Sequence, residues 1–213
     1  MKNIKKNKNF FLLAPFIILL IIACKNSLYN GPTNHGASTI NVNGISREYI
    51  MYVPSTYDSK KSVPLMLIFH GWTMSAYDQM KISDMRGLAE SEKFILVYPQ
   101  GTIFKGSTHW NVGSWTTGST SDDLGFVDEL INHISDKHNI DMKRIYAAGY
   151  SNGGFFSQEL ACNLSNNIAA IGTVVANMST RTKDNCNPSH PIPLVTISGT
   201  KDKKVSYDGT NFK

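Results

Sequence analysis

Five consecutive residues, Gly149-Tyr150-Ser151-Asn152-Gly153, have the form Gly-x-Ser-x-Gly and follow the apolar run Ile145-Tyr146-Ala147-Ala148. This is the spacing of a nucleophile elbow, where a strand ends, the backbone turns sharply and a helix begins. A Cβ at either glycine would clash with the neighbouring strand or helix. The serine is held in a strained conformation with its Oγ clear of the sheet. The chemistry is acyl transfer through a serine ester. A serine hydroxyl is a weak nucleophile, so it needs a base, an acid to orient that base, and donors for the tetrahedral oxyanion.

The oxyanion donors are the best specified of these. One is the backbone N–H of the residue after the serine, here Asn152, and the second comes from the loop after an earlier strand. His70-Gly71-Trp72 closes the apolar run Leu65 to Phe69, which is the required position. Gly71 lets the backbone approach the substrate, and the Trp72 N–H is the expected second donor. Each donor is worth roughly 3 kcal/mol to the oxyanion. His70 lies before the serine, at the oxyanion strand, and reads as a structural or loop-shaping residue.

The acid should follow a later strand. Ile197-Ser198-Gly199-Thr200-Lys201-Asp202 supplies an apolar strand, a glycine turn and a carboxylate, so Asp202 is the expected acid and Asp208 the reserve. The base should come after Asp202, but no histidine lies between it and Lys213. The histidines are His35, His70, His109, His133, His138 and His190, all upstream of Asp202. None stands where this order would deliver an imidazole to Ser151. Triads on unrelated folds differ in chain order, so a substitute role for His109 or His190 stays open.

These residues need a scaffold. Thr39 to Val42, a turn at Asn43-Gly44, and Arg47 to Val53 read as a β-hairpin. Short apolar runs then alternate with helical stretches. The runs are Leu65–Phe69, Phe94–Tyr98, Ile145–Tyr150, Ala170–Val175 and Pro193–Ser198, with helices expected over Asp84–Glu92, Asp122–Lys137 and Asn152–Leu164. Strands apolar on both faces and separated by helices imply a parallel sheet covered on both sides. A hairpin leading into such a sheet is the α/β-hydrolase order. Ser121 is the expected cap of the second helix, with Asp122 and Asp123 complementing its dipole. Capping accounts for that acidic pair without an acid/base or metal dyad.

The net charge of +5 is misleading. Lys2, Lys5, Lys6 and Lys8 precede the first acid and leave about +1 for everything else, so nucleic acid is not an expected partner. The four lysines precede an apolar run from Phe10 to Ala23, interrupted by Pro15. It is too short for a comfortable transmembrane span and suits a signal h-region. It ends Ile21-Ile22-Ala23-Cys24, which looks like a lipobox. The expected organisation is a lipoprotein signal over residues 1–23, lipid on Cys24, a tether over 24–38 and a hydrolase domain over 39–213. A plain signal peptide or an anchor helix is the alternative. Export leaves Cys162 and Cys186 as one pair in an oxidising compartment, where a disulfide is expected and two free thiols are the alternative.

The segments Leu67-Ile68-Phe69-His70-Gly71-Trp72, Val97-Tyr98-Pro99-Gln100-Gly101, Asp122-Asp123-Leu124-Gly125-Phe126, the elbow through Gly154, and Ser198-Gly199-Thr200-Lys201-Asp202 occur in this order. Together they resemble the secreted polyhydroxybutyrate depolymerase and feruloyl esterase family of α/β hydrolases, from about residue 45 onward. The resemblance implies a cysteine pair matching Cys162 and Cys186. It also implies a histidine some tens of residues beyond Asp202, with a last strand and helix. These 213 residues stop short of those pieces, so the expectation is the N-terminal part of such an esterase, with an exposed sheet edge and little hydrolysis of its own.

The leading functional expectation is an exported, membrane-anchored serine carboxylesterase acting on an ester-bearing polymer or its fragments, without cofactor or metal. Trp72, Trp110 and Trp115 are candidate walls of an aromatic cleft, with ordinary packing the alternative for each. A related peptidase or lipase is a second reading. A lipoprotein binding module on the same fold, without catalysis, is a third.

Overall fold

The computed structural model describes residues 36–209. The signal segment, Cys24, His35 and nearly all of the tether lie outside the described residues. Strands β1 (Ser38–Val42) and β2 (Ile45–Tyr52) pair antiparallel. Asn43 and Gly44 connect them at φ of 52° and 85°, the left-handed pair that a two-residue hairpin of this hand requires. β2 then pairs antiparallel with β4 (Ile95–Pro99). From there the sheet is parallel, through β3 (Val63–Phe69), β7 (Ile140–Tyr150), β8 (Ala170–Val174) and β9 (Leu194–Ile197). Seven strands lie in the order β1-β2-β4-β3-β7-β8-β9.

The central strands are apolar because both of their faces are covered. Leu65, Leu67, Phe69, Ile95, Leu96, Val97 and Ile145 are fully buried. Helix α3 (Asp123–Ser135) contributes Phe126, Val127, Leu130, Ile131 and Ile134 to the core, the stripe expected from helical spacing. Helix α4 (Asn152–Asn163) is buried along nearly its whole length. A disulfide joins Cys162, near the end of α4, to Cys186, just past the short helix α5 (Thr180–Asp184).

Three local features differ from expectation. A helix that was not expected, α1 (Ala76–Ile82), precedes α2 (Arg86–Glu92), which is the helix expected over Asp84–Glu92. A reciprocal capping box starts α1: Ser75 Oγ accepts from the Asp78 amide, and Asp78 Oδ2 accepts from the Ser75 amide, both at 3.0 Å. Asp78 stands where Glu or Gln is usual, which hides the signal. A small hairpin of β5 (Thr102–Phe104) and β6 (Ser107–His109) turns on Lys105 and Gly106, both at positive φ. Finally, Asp122 and not Ser121 caps α3, through Gly125 N at 2.9 Å.

Asp123 does more than complement a dipole. It is buried, and its carboxylate accepts from Arg47 Nη2 at 2.8 Å, from Asn111 N at 2.8 Å and from Ser121 Oγ at 2.7 Å. The Arg47 guanidinium also lies over the Phe126 ring, 3.9 Å from its centre. A dry ion pair is tolerated only when its remaining hydrogen-bonding capacity is filled in this way.

Candidate active site

The parallel ladders bring the carboxyl ends of four strands to one rim. Phe69 on β3 stands opposite Gly149 on β7, Gly149 opposite Thr173 on β8, and Val174 opposite Ile197 on β9. The oxyanion segment, the elbow and the acid loop therefore leave the sheet side by side.

At the elbow, Ser151 has φ 51° and ψ −119°, a conformation costing about 1–3 kcal/mol for a residue with a Cβ. The amide of Ser151 is tied to Val174 O at 2.8 Å. Both motif glycines are required sterically. A Cβ on Gly149 would stand 2.1 Å from the Gly153 carbonyl, and one on Gly153 would stand 2.3 Å from Phe69 O and 2.6 Å from His70 O. The first position holds the helix against its own strand. The second lets the helix press on the oxyanion strand.

Neither the Asn152 amide, first in α4, nor the Trp72 amide has a protein acceptor among the described residues. Ser151 Oγ likewise has no side-chain partner among them. The Trp72 amide shares a peptide plane with the Gly71 carbonyl, which accepts from His70 Nδ1 at 2.8 Å and from Met74 N at 3.2 Å. Holding that carbonyl on one side points the Trp72 N–H to the other. The imidazole is fixed in turn by the Gly101 amide, which donates to Nε2 at 2.9 Å. Nδ1 therefore carries the proton. Burial pushes the His70 pKa down to about 4, so the ring is neutral at neutral pH.

Asp202 closes its own loop. Its Oδ1 accepts from the amides of Lys204 at 2.7 Å and Val205 at 2.9 Å, and these bonds hold its pKa below the ordinary carboxylate value. Lys204 and Val205 line the same cavity as Ser151. β9 is two strands from β7, so roughly 10 Å separates the strand bearing the serine from the one leading to the acid. That gap is one strand wide, at the carboxyl end of β8.

No described histidine fills it. His70 is engaged as above. His109 donates from Nδ1 to Thr102 O at 3.0 Å, and its Nε2 accepts from Ser119 Oγ at 2.7 Å. His133 lies beside Lys137 and the Tyr49 ring, His138 packs on Tyr57, and His190 meets Ser189 at the surface.

Above Ser151 lies an open cavity of about 570 Å³, walled by Trp72, Met74, Trp115, Tyr150 and Phe155. Trp115 meets Phe155 edge-on at 4.8 Å. Trp110 does not belong to this wall. It is fully buried, stacked on Phe156 at 5.0 Å, with its Nε1 donating to His70 O at 3.0 Å. An indole whose N–H finds a carbonyl inside the protein has no need of solvent, and spacing along the chain could not reveal that partner.

A family model described as Esterase PHB depolymerase matches residues 47–183. The chain belongs to this esterase family. Among its relatives, the chain is 32% identical over 165 residues to feruloyl esterase B of Piromyces equi, covering 76% of this chain and 30% of that protein. It is 29% identical over 165 residues to a bifunctional acetylxylan esterase/xylanase of Neocallimastix patriciarum, covering 77% of this chain and 22% of that protein. The chain thus spans less than a third of either relative. Among solved structures, an acetyl xylan esterase from Aspergillus awamori superposes with a TM-score of 0.63 at 14% identity, covering 82% of this chain and 76% of that one. A thermostable esterase gives 0.65 at 18% identity, covering 82% and 49%. These likenesses establish the α/β-hydrolase fold of this esterase family member, led by its antiparallel hairpin.

Proposed function

We propose that this protein is a serine carboxylesterase working through an acyl-enzyme, with Ser151 as nucleophile, Trp72 N–H and Asn152 N–H as oxyanion donors, and Asp202 as the acid that orients the base. The observation that carries the reading is the strained serine at the end of β7, beside two amides that lack protein acceptors. In the first step Ser151 Oγ gives its proton to the base and attacks the ester carbonyl. The oxyanion forms between the two amides. The alcohol departs with the proton from the base, leaving an ester on Ser151. Water, activated by the same base, then releases the acid and restores the hydroxyl.

The base this reaction needs is an imidazole placed between Ser151 and Asp202. All five described histidines are engaged elsewhere, which favours the competing reading, a binding module without turnover. Aromatic walls and an open mouth suit an acyl or alkoxy group presented on a polymer, such as a hydroxyalkanoate chain or a feruloylated or acetylated polysaccharide. The relatives' names fall within that class. The lipobox-like Ile21-Ile22-Ala23-Cys24 supports export and a membrane anchor through Cys24. Loss of detergent-phase partitioning in Cys24→Ser tests the anchor.

The decisive test is a fluorophosphonate probe on the full-length protein. Labelling that disappears in Ser151→Ala supports the esterase. A folded, unlabelled protein supports the binding module.

A further inference from the structure

The two amides assigned to the oxyanion belong to different segments. Trp72 sits on the loop after β3, and Asn152 opens α4. Their separation has to be held within a fraction of an ångström, because donors act only when aimed at the position the oxyanion will occupy. A single residue far from both in sequence touches both segments.

That residue is Trp110. Its backbone amide donates to Asn152 Oδ1 at 2.7 Å, and its carbonyl accepts from Asn152 Nδ2 at 3.1 Å. The side chain of the elbow residue is thus paired at two points with one peptide segment. The Trp110 indole reaches the opposite way, and its Nε1–H donates to His70 O at 3.0 Å. That carbonyl precedes Gly71, whose own carbonyl shares a peptide plane with the Trp72 donor. The indole stacks on Phe156 of α4, with rings 7° from parallel, and meets Phe69 of β3 edge-on at 5.1 Å. α4 also presses close to the His70 carbonyl, since a Cβ on Gly153 would lie 2.6 Å from it. Outside the clamp, Asn111 N donates to the buried Asp123 carboxylate at 2.8 Å, which anchors the segment to the Arg47 ion pair.

We propose that Trp110 is a positioning residue that sets the distance between the two halves of the oxyanion hole, with the indole N–H as the adjustable tie. This rests on the esterase reading above. It assigns Trp110 no contact with substrate. The cost of losing the tie should fall on the transition state, where the oxyanion exists, and not on ground-state binding.

The test uses the full-length protein carrying β-(3-benzothienyl)alanine at position 110, which puts sulfur in place of the N–H and keeps ring size and stacking. Trp110→Phe is the second variant. The wild type is first labelled with a fluorophosphonate and assayed on a soluble aryl ester. The expected result for the sulfur isostere is a loss of about ten- to a hundredfold in kcat, KM within about twofold, and a melting temperature within a few degrees of wild type. Trp110→Phe should lose at least as much kcat. Three results overturn the proposal while leaving the esterase reading intact. They are an isostere with wild-type kcat, a loss confined to KM, and a loss of kcat matched by a collapse in melting temperature in both variants. An unlabelled wild type overturns the esterase reading itself, and the clamp with it.

Discussion

Phe69 and Gly149 stand opposite one another in the parallel β3–β7 ladder, so the two chains that build the candidate site leave the sheet at the same level. One residue on, His70 turns into the oxyanion loop while Tyr150 leads into the elbow. The glycine at 149 is what permits the helix to begin at once, since any Cβ there would overlap Gly153. Proximity of the nucleophile and its donors is thus a consequence of strand register, a property a one-residue slip would destroy.

Gly153→Ala places a methyl 2.3 Å from Phe69 O, where neither backbone can yield cheaply. The expected cost is about 1–3 kcal/mol of stability, read from the urea midpoint. Fluorophosphonate labelling of Ser151 should fall with it, because relief of the clash pushes α4 away from the oxyanion strand.

Asp202→Asn should reduce kcat by roughly 10³- to 10⁴-fold, since an amide holds the wrong tautomer of a partner imidazole. Asp208→Asn, the reserve position, should leave kcat within about twofold. Steady-state kinetics on the full-length protein with an aryl ester decide between them.

His70 predicts a pH dependence of stability. Its pKa is about 4 in the fold, against the ordinary 6.5, because burial penalises the charged ring. Between those values the unfolded chain binds more protons than the native one, so stability rises with pH and is complete above about 6.5. It is lost as pH falls toward 4, by an amount on the order of 3 kcal/mol. His133 and His138 shift in the same direction but are far less buried. Urea midpoints across this range should therefore flatten in His70→Asn. A slope unchanged from wild type would assign the effect to other groups.

Removing one partner of the buried Arg47–Asp123 pair should be costly, about 3–5 kcal/mol for Asp123→Ala, because the guanidinium is left dry and unpaired. The double variant Arg47→Met, Asp123→Leu should recover a large part of that loss. A double-mutant cycle in urea measures the coupling.

The disulfide closes a separation of 24 residues and should contribute about 3 kcal/mol by restricting the unfolded chain. Replacing Cys162 and Cys186 together by serine should lower the urea midpoint and make it insensitive to reductant.

The sequence by itself determined the elbow motif on which the proposed reaction class rests. Gly149 is dictated by local backbone sterics, since its Cβ would meet Gly153 four residues on, whereas Gly153 is required by Phe69 and His70 on a neighbouring strand. The parallel sheet was legible too, since strands covered on both faces must be apolar throughout. Which side chains meet across the fold was another matter, and only the tertiary structure decided it. Ser121 and the Asp122-Asp123 pair read as a helix start, but Asp123 has its main partner 76 positions away at Arg47. Trp110 read as equal to Trp72 and Trp115, yet it lies under the site while they line the cavity above it. An indole has the same composition on a cleft wall as in a core, and what separates the two cases is whether a carbonyl such as that of His70 waits inside for its N–H. Such partners are fixed by strand order and register, which bring together residues that no spacing along the chain connects.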